Sequence, residues 1–372
     1  MLLWARAISA SQAQSNKKFL RRFFQKAATF LFYICKMPYP ISDHYDGTHF
    51  FNPEPTVRSG GPKRRRGFFS LLRSRWRKDA AWATWPKRVE NATHPPPGPP
   101  PTVTFIGHSS FLIHLPGLTL LTDPVFSRRC SPSQWVGPKR VRAPAVPLDK
   151  LPPIDLILLS HNHYDHMDVR ALRRIRRRFP DAAIVTTLGN AAFLARKGLP
   201  GAVELDWWQD FALGETTITA TPARHFAART LWDRNETLWA GFWLEHQGTT
   251  LYFAGDTGYT KFFAEIRALL GAPDLALLPI GAYEPRWFMS PVHMNPEDAV
   301  MAFKDLQARR AVGMHYGTFQ LTAEEIDAPQ RDLATALHAA GIGRERFRAL
   351  DIGETLDLAE VGRAVFVAPG PA

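Results

Sequence analysis

Leu156-Ile157-Leu158-Leu159-Ser160-His161-Asn162-His163-Tyr164-Asp165-His166 is the stretch that decides how this chain folds and what it carries. Its first four residues are a short apolar run bounded by Pro and Asp, the pattern of a buried strand. Side chains alternate on an extended segment, so His161 and His163 share one side, and Asp165 and His166 emerge as the chain turns towards a helix. Histidine is the commonest metal ligand and an unusual filler of a strand-to-helix turn. The stretch therefore predicts a metal centre rather than a solvated polar loop.

One loop cannot close two metal sites, because a zinc ion takes about four ligands and a catalytic one keeps a position for water. The remaining donors stand where later strand-like runs stop: His225 beyond Thr217 to Thr221, Asp256 after Leu251 to Gly255, and His315 after Ala311 to Met314. Singly, each reads as a structural histidine or a turn aspartate. In succession they predict a binuclear set, with His161, His163 and His225 on one ion, Asp165, His166 and His315 on the other, and Asp256 between them. A carboxylate suits the bridge, since its two oxygens can each face a cation and an imidazole with one lone pair cannot. Room remains for a shared hydroxide. The mixed donor set accepts zinc, iron or manganese.

With these residues the chain resembles the metallo-β-lactamase superfamily and, within it, the N-acyl-phosphatidylethanolamine-hydrolysing phospholipases D. The narrower likeness rests on Leu121 to Phe126, Ser131 to Gln134, Gly137 to Arg140, Leu205 to Trp208, Phe253 to Tyr259 and Pro279 to Met289, in collinear order between about Thr102 and about Leu350. It implies an αβ/βα sandwich with four layers, two zinc ions and a homodimer. The expected reaction is hydrolysis of a phosphodiester by a dimetal-bound hydroxide, giving N-acylethanolamine and phosphatidic acid. It further implies that Tyr164 and His293 contact the phospholipid and that Gln134 lies near the acyl chain. Asp165, Asp256 and His293 are the candidate catalytic residues, Asp165 orienting the hydroxide besides binding metal and His293 a phosphate contact or proton donor. The residues alone leave alternatives: His293 as a buried structural histidine, Tyr164 as a packing residue, and Asp123, before Pro124, as a turn residue or as a carboxylate that orients a ligand histidine. The metal motif is common to lactonases and other phosphodiesterases, so it specifies chemistry and not substrate.

Organisation can be read from composition. The 372 residues suit one α/β domain with an extension. The Pro-rich run His94 to Pro101 favours polyproline II and separates residues 1–93 from a hydrolase domain over 102–372. The first 93 residues carry 18 Lys and Arg against 5 Asp and Glu, more than accounting for the chain's net charge of +12. These cations, in Lys17-Lys18, Arg21-Arg22, Lys63 to Arg66 and Arg73 to Lys78, interleave with Phe19, Phe23, Phe24, Phe68, Phe69 and Trp76, a pattern suited to an anionic membrane surface. Nucleic-acid binding and a merely solvated arm compete for the same residues. A non-catalytic membrane or nucleic-acid adaptor has no use for an intact ligand set.

Ala27 to Cys35 is far shorter than the roughly 20 residues of a membrane span, and Arg21-Arg22 is a weak export signal without a clear cleavage site. The expectation is a peripheral membrane or cytoplasmic protein. Cys35 and Cys130 form no disulfide framework. Three strands are expected at Thr102 to Ile106, Ser110 to Leu115 and Leu118 to Thr122. Helices are expected at Val169 to Phe179, Asn190 to Lys197, Thr260 to Leu270, Pro296 to Gln307 and Thr322 to Ala340. The aromatic residues Trp207, Trp208, Trp232, Trp239, Trp243 and Trp287 divide between core and acyl-chain cavity in a way the sequence leaves open.

Overall fold

The structure, a computed structural model, describes residues 39–54, 82–94 and 98–358. The basic runs between 17 and 26 and between 63 and 78, the apolar stretch Ala27 to Cys35, and Pro95 to Pro97 lie outside the described residues.

Short apolar runs with both faces buried need a layer on each side. The chain meets that need with two seven-stranded sheets flanked by helices. The first sheet contains β1 (Thr102–Gly107), β2 (Ser110–Leu115), β3 (Leu118–Thr122), β4 (Leu156–Leu158), β5 (Ala183–Thr187) and β6 (Val203–Leu205). The second contains β7 (Asp210–Leu213), β8 (Thr216–Thr221), β9 (Gly241–His246), β10 (Thr249–Phe253), β11 (Leu275–Pro279), β12 (Arg310–Met314) and β13 (Phe347–Arg348). The last strand, β14 (Thr355–Asp357), returns to pair with β1. Each sheet is antiparallel on one side and parallel on the other: β14-β1-β2-β3 then β4-β5-β6, and β7-β8-β9-β10 then β11-β12-β13. The expected αβ/βα sandwich is the observed fold.

The helices are α1 (Val169–Arg178), α2 (Asn190–Arg196), α3 (Phe262–Leu270), α4 (Arg286–Met289), α5 (Pro296–Leu306) and α6 (Ala328–Ala339). Helix α1 buries Ala171, Leu172 and Ile175 with Leu121, Ile157 and Ile184 of the first sheet. Its start is set by Asp168, whose Oδ1 accepts from the N–H groups of Arg170 and Ala171 while Oδ2 accepts from Phe126 and Ser127. Helix α5 opens as its sequence predicts, with Asn295 and Asp298 in a capping box and Pro296 in the first turn. Helix α6 begins at Ala328, six residues later than expected. The reason is Glu324, whose carboxylate accepts from the N–H groups of Ala282 at 2.7 Å and Glu284 at 3.2 Å, which holds that stretch against the loop after β11.

Residues 82–94 are not a free arm. Ala83 N–H donates to Ala323 O, Trp85 Nε1 to Glu324 O, and Val89 N–H to Val141 O. A separate unit at residues 39–53 gathers Tyr39, Tyr45 and Phe50, with the last two ring centroids 4.6 Å apart. Among the described residues no helix is long and apolar enough to cross a membrane.

Candidate metal centre

Strand ends bring the polar residues together. The loop after β4 carries Ser160 to His166, the segment after β8 carries His225, the turn after β10 carries Asp256, and the residue following β12 is His315. The two sheets are stitched beneath them: Ala240 N–H donates to Ser160 O, Leu238 N–H to Leu188 O, and His315 N–H to His108 O. Gly255 adopts φ +59, and an added Cβ would sit 2.8 Å from both Ala240 O and Ser160 Cβ, so the turn into Asp256 requires glycine.

All seven residues picked from the sequence as ligands converge. Nδ1 of His163 lies 2.8 Å from Nε2 of His161 and 3.2 Å from Nε2 of His225. Ligand atoms on one tetrahedral zinc lie about 3.3 Å apart, given Zn–N bonds of about 2.0–2.1 Å. Oδ2 of Asp165 is 3.5 Å from Nε2 of His166 and 3.3 Å from Nε2 of His315. Asp256 stands between the groups, its Oδ2 3.1 Å from His166, 3.1 Å from His315 and 3.8 Å from His225. Nε2 of His166, Nε2 of His315 and Oδ1 of Asp256 are buried without a hydrogen bond among the described residues. Buried polar atoms are ordinarily paired, so near neighbours that are misaligned for hydrogen bonding fit donors aimed at a common ion.

The surrounding residues select which nitrogen faces inward. Asp123, fully buried, accepts from the Ser160 hydroxyl at 2.6 Å and from His166 Nδ1 at 2.6 Å. With its proton given to Asp123, the Ser160 oxygen accepts from His161 Nδ1 at 2.9 Å. His225 Nδ1 donates to Val292 O at 3.0 Å. His161 and His225 are therefore each left with a lone pair on Nε2, the atom that points into the cluster, and His166, its Nδ1 committed to Asp123, presents Nε2 there as well, open to a cation once that nitrogen gives up its proton. Of the two readings of Asp123, the structure supports the orienting carboxylate.

The sequence reading missed two residues. His108, in the turn between β1 and β2, donates from Nε2 to Asp165 Oδ2 at 3.1 Å and joins Asp165, His166 and His315 in one group able to hold a metal ion. A histidine directly after Gly107 at a strand end was the available signal. Arg229 is the second. Its Nη1 donates to the carbonyls of Asn162 at 2.5 Å and Met167 at 3.0 Å, bracing the loop at both ends, and its guanidinium lies 3.9 Å over the Tyr164 ring.

Electrostatics divides the centre. Burial, with neighbouring imidazoles, holds His161 well below the ordinary histidine range. Burial likewise depresses His225 and brings His163 down to about 4. These three are neutral at pH 7. On the other side burial opposes charge, yet Asp256 and Asp165 lift His166 well above its usual value, and Asp256 and Asp165 lift His315 to about 9. Against their own burial, the same imidazoles hold Asp165 and Asp256 well below the carboxylate range.

The expected substrate residues lie around this centre. His293 is buried, with Nδ1 3.9 Å from Asp256 Oδ2, and burial lowers it to about 4. Tyr164 and Gln134 both line a neighbouring cavity of about 440 Å³. The Gln134 amide is committed to the backbone of Arg129, accepting from its N–H and donating to its carbonyl. Arg129, Arg170, Arg173 and Lys197 also line this cavity, side chains that match a phosphate better than an acyl chain. Trp207, Trp239 and Trp243 are core. Trp207 Nε1 donates to Trp239 O and Trp239 Nε1 to Ala223 O, just before His225, whereas Trp232 and Trp287 are exposed.

Comparison with known proteins agrees with this fold. Residues 119–316 match the β-lactamase superfamily domain. An uncharacterized protein of Mycobacterium tuberculosis is 44% identical over 242 residues, 63% of this chain and 63% of that one, so the chain spans less than two thirds of that relative's length. The N-acyl-phosphatidylethanolamine-hydrolyzing phospholipase D 1 of Caenorhabditis elegans is 37% identical over 68% of this chain and 74% of its own. Among solved structures, Igni18, a metallo hydrolase from Ignicoccus hospitalis, superposes with a TM-score of 0.53 at 25% identity over 68% of this chain and 97% of that one. With more than half of its length matched, and with histidines and aspartates gathered at the strand ends of a two-sheet sandwich, the chain belongs to the metallo-β-lactamase superfamily.

Proposed function

We propose that the chain is a metal-dependent phosphodiesterase of the phospholipase D type. It hydrolyses N-acyl-phosphatidylethanolamine to N-acylethanolamine and phosphatidic acid. The observation that carries the chemistry is the placing of Asp256 between an imidazole triad and a second, carboxylate-containing set. The substrate is carried by the likeness to the C. elegans phospholipase D.

His161, His163 and His225 would hold one cation, and Asp165, His166 and His315 the other, with Asp256 shared. Two such cations, when bound, would supply a water of lowered pKa and neutralise charge that grows on the phosphate oxygens. Asp165, steadied by the His108 N–H, accepts a hydrogen bond from the attacking water and orients it. His293 is neutral at pH 7 and offers an N–H to a phosphate oxygen or to the departing alcohol. The water oxygen bonds to phosphorus, the bond from phosphorus to the ethanolamine oxygen breaks, one of the water's two protons ends on that alcohol, and the other stays with the phosphatidic acid. Arg229 keeps the loop and Tyr164 in place.

The test is product analysis by mass spectrometry on purified protein with measured metal content, offering N-acyl-phosphatidylethanolamine beside a lactone and a cyclic-nucleotide panel. Release of N-acylethanolamine with phosphatidic acid, lost on chelation, is the expected result. Turnover of only the lactone or the cyclic nucleotides would replace this reading with another hydrolase of the same site.

A further inference from the structure

Among the described residues, the four most exposed large apolar side chains are Trp135 at 88%, Leu231 and Trp232 at 86% each, and Val136 at 71%. They form two adjacent pairs on two loops far apart in sequence, and both loops line the cavity beside Tyr164, through Ser131 and Gln134 on one and Thr230 and Asp233 on the other.

Neither loop is free to fold its apolar tip back onto the protein. The first is pinned by the two bonds between the Gln134 amide and the Arg129 backbone, and Trp135 N–H donates to Ser133 Oγ. The second is a turn in which Asp233 Oδ1 accepts from the N–H groups of Arg229 and Thr230, while Thr230 Oγ1 accepts from those of Trp232 and Asp233. Apolar side chains displayed on preformed turns mark a binding surface more than a packing accident.

Charge identifies the partner. Arg170 and Arg173 on α1 and Lys197 after α2 line the same cavity and are exposed, and Arg128 adds a further cation at the start of the first loop. The acids in the lining, Asp168 and Asp233, are occupied by the backbone N–H groups they cap. Tryptophan settles at the headgroup level of a bilayer, and arginine and lysine gather at anionic leaflets.

We propose that this rim is a membrane-docking face of the hydrolase domain itself, in which Trp135, Val136, Leu231 and Trp232 enter the headgroup layer of an anionic bilayer while Arg170, Arg173 and Lys197 meet its phosphates. The face brings the Tyr164 loop to the lipid surface without help from the basic N-terminal extension. It rests on the phospholipase reading only in explaining why a lipid surface would be sought.

The full chain is mixed with vesicles of phosphatidylcholine, with and without phosphatidylserine, and retention is measured by sedimentation. W135S/W232S is expected to lower partitioning onto phosphatidylserine vesicles about tenfold. Hydrolysis of a short-chain phosphodiester kept below its aggregation concentration stays unchanged in that variant. A second variant, R170Q/R173Q/K197Q, removes the dependence on phosphatidylserine and on salt. Wild-type retention in W135S/W232S, or loss of retention only when Lys63 to Arg66 are changed to Gln, overturns the proposal. The two readings fail separately. A protein that docks through this rim but leaves N-acyl-phosphatidylethanolamine intact sinks the functional reading alone. One that hydrolyses it while W135S/W232S still sediments as wild type sinks the docking face alone.

Discussion

The triad His161, His163 and His225 and the set Asp165, His166 and His315 share a loop and lie either side of Asp256, yet they differ in charge and in origin. The triad draws on the β4 loop and the segment after β8, and its three imidazoles are kept neutral chiefly by burial. The second set reaches further, to the residue after β12 and through His108 to the β1–β2 turn, and its histidines hold protons against two carboxylates. A neutral set offers its lone pairs at once. A set of imidazolium and carboxylate stabilises the metal-free fold internally and must release protons before a cation can replace them. Metal should therefore load first on the triad.

The sharpest break of this contrast is Asp256→Ala, because that carboxylate touches both halves. At least about a 10³-fold loss of activity is expected, with bound metal falling below two equivalents by elemental analysis. Retention of two equivalents would remove Asp256 from the bridge. Next is Gly281→Ala. An added Cβ would lie 2.1 Å from the carbonyl oxygen of His315, whose φ of 67 is already unusual for a non-glycine residue. The variant should lose about 1–3 kcal/mol in thermal or urea unfolding and shed metal from the second set while the triad keeps its own. Equal loss from both halves would contradict the division.

Acidity sharpens the contrast further. His315, lifted to about 9, stabilises the metal-free fold fully below the unfolded value near 6.5, and that contribution is lost as pH rises through about 9. A cation competes with the same proton. Affinity at the second set should therefore climb between pH 7 and pH 9, by up to about tenfold per unit, then level. His163, brought down to about 4, has already lost its proton by pH 6, so triad affinity should stay flat over that window. Titration calorimetry with zinc at stepped pH resolves the two, and identical slopes would refute the assignment.

Asp123→Asn removes the carboxylate that orients His166 directly and His161 only through Ser160. Metal affinity should fall about 10–100-fold, more steeply at the second set, as a chelator competition would measure. The smallest effect is expected from Arg229→Met. It frees the carbonyls of Asn162 and Met167 and should weaken both halves severalfold and alike, since the braced loop supplies ligands to each. A loss confined to one half would mean that Arg229 acts on a single ligand.

Much of this was legible in the chain itself. A four-residue apolar run followed by alternating histidines is a local pattern, and it located β4 and its ligand loop. The donors after β8, β10 and β12 were found the same way, from the polar residue that stands beyond the end of each strand. Helix α5 was readable to within a residue because Asn295, Pro296 and Asp298 act only on their own first turn. Helix α6 was read too early because Glu324 bonds to Ala282 and Glu284 about 40 residues away. His108 escaped because its partner Asp165 is 57 residues distant. The tryptophans could not be sorted, since Trp239 in the core and Trp232 in the solvent each come directly after a leucine and differ in what packs over them.

Strand periodicity and terminal residue chemistry thus determined which side chains could act, because both are written over a few consecutive positions. Which of them meet, which ring nitrogen of each points inward, and which proton each holds were decided by the two sheets closing on one another. Those properties depend on Asp123, Val292 and His108, donors and acceptors that arrive from other strands and loops.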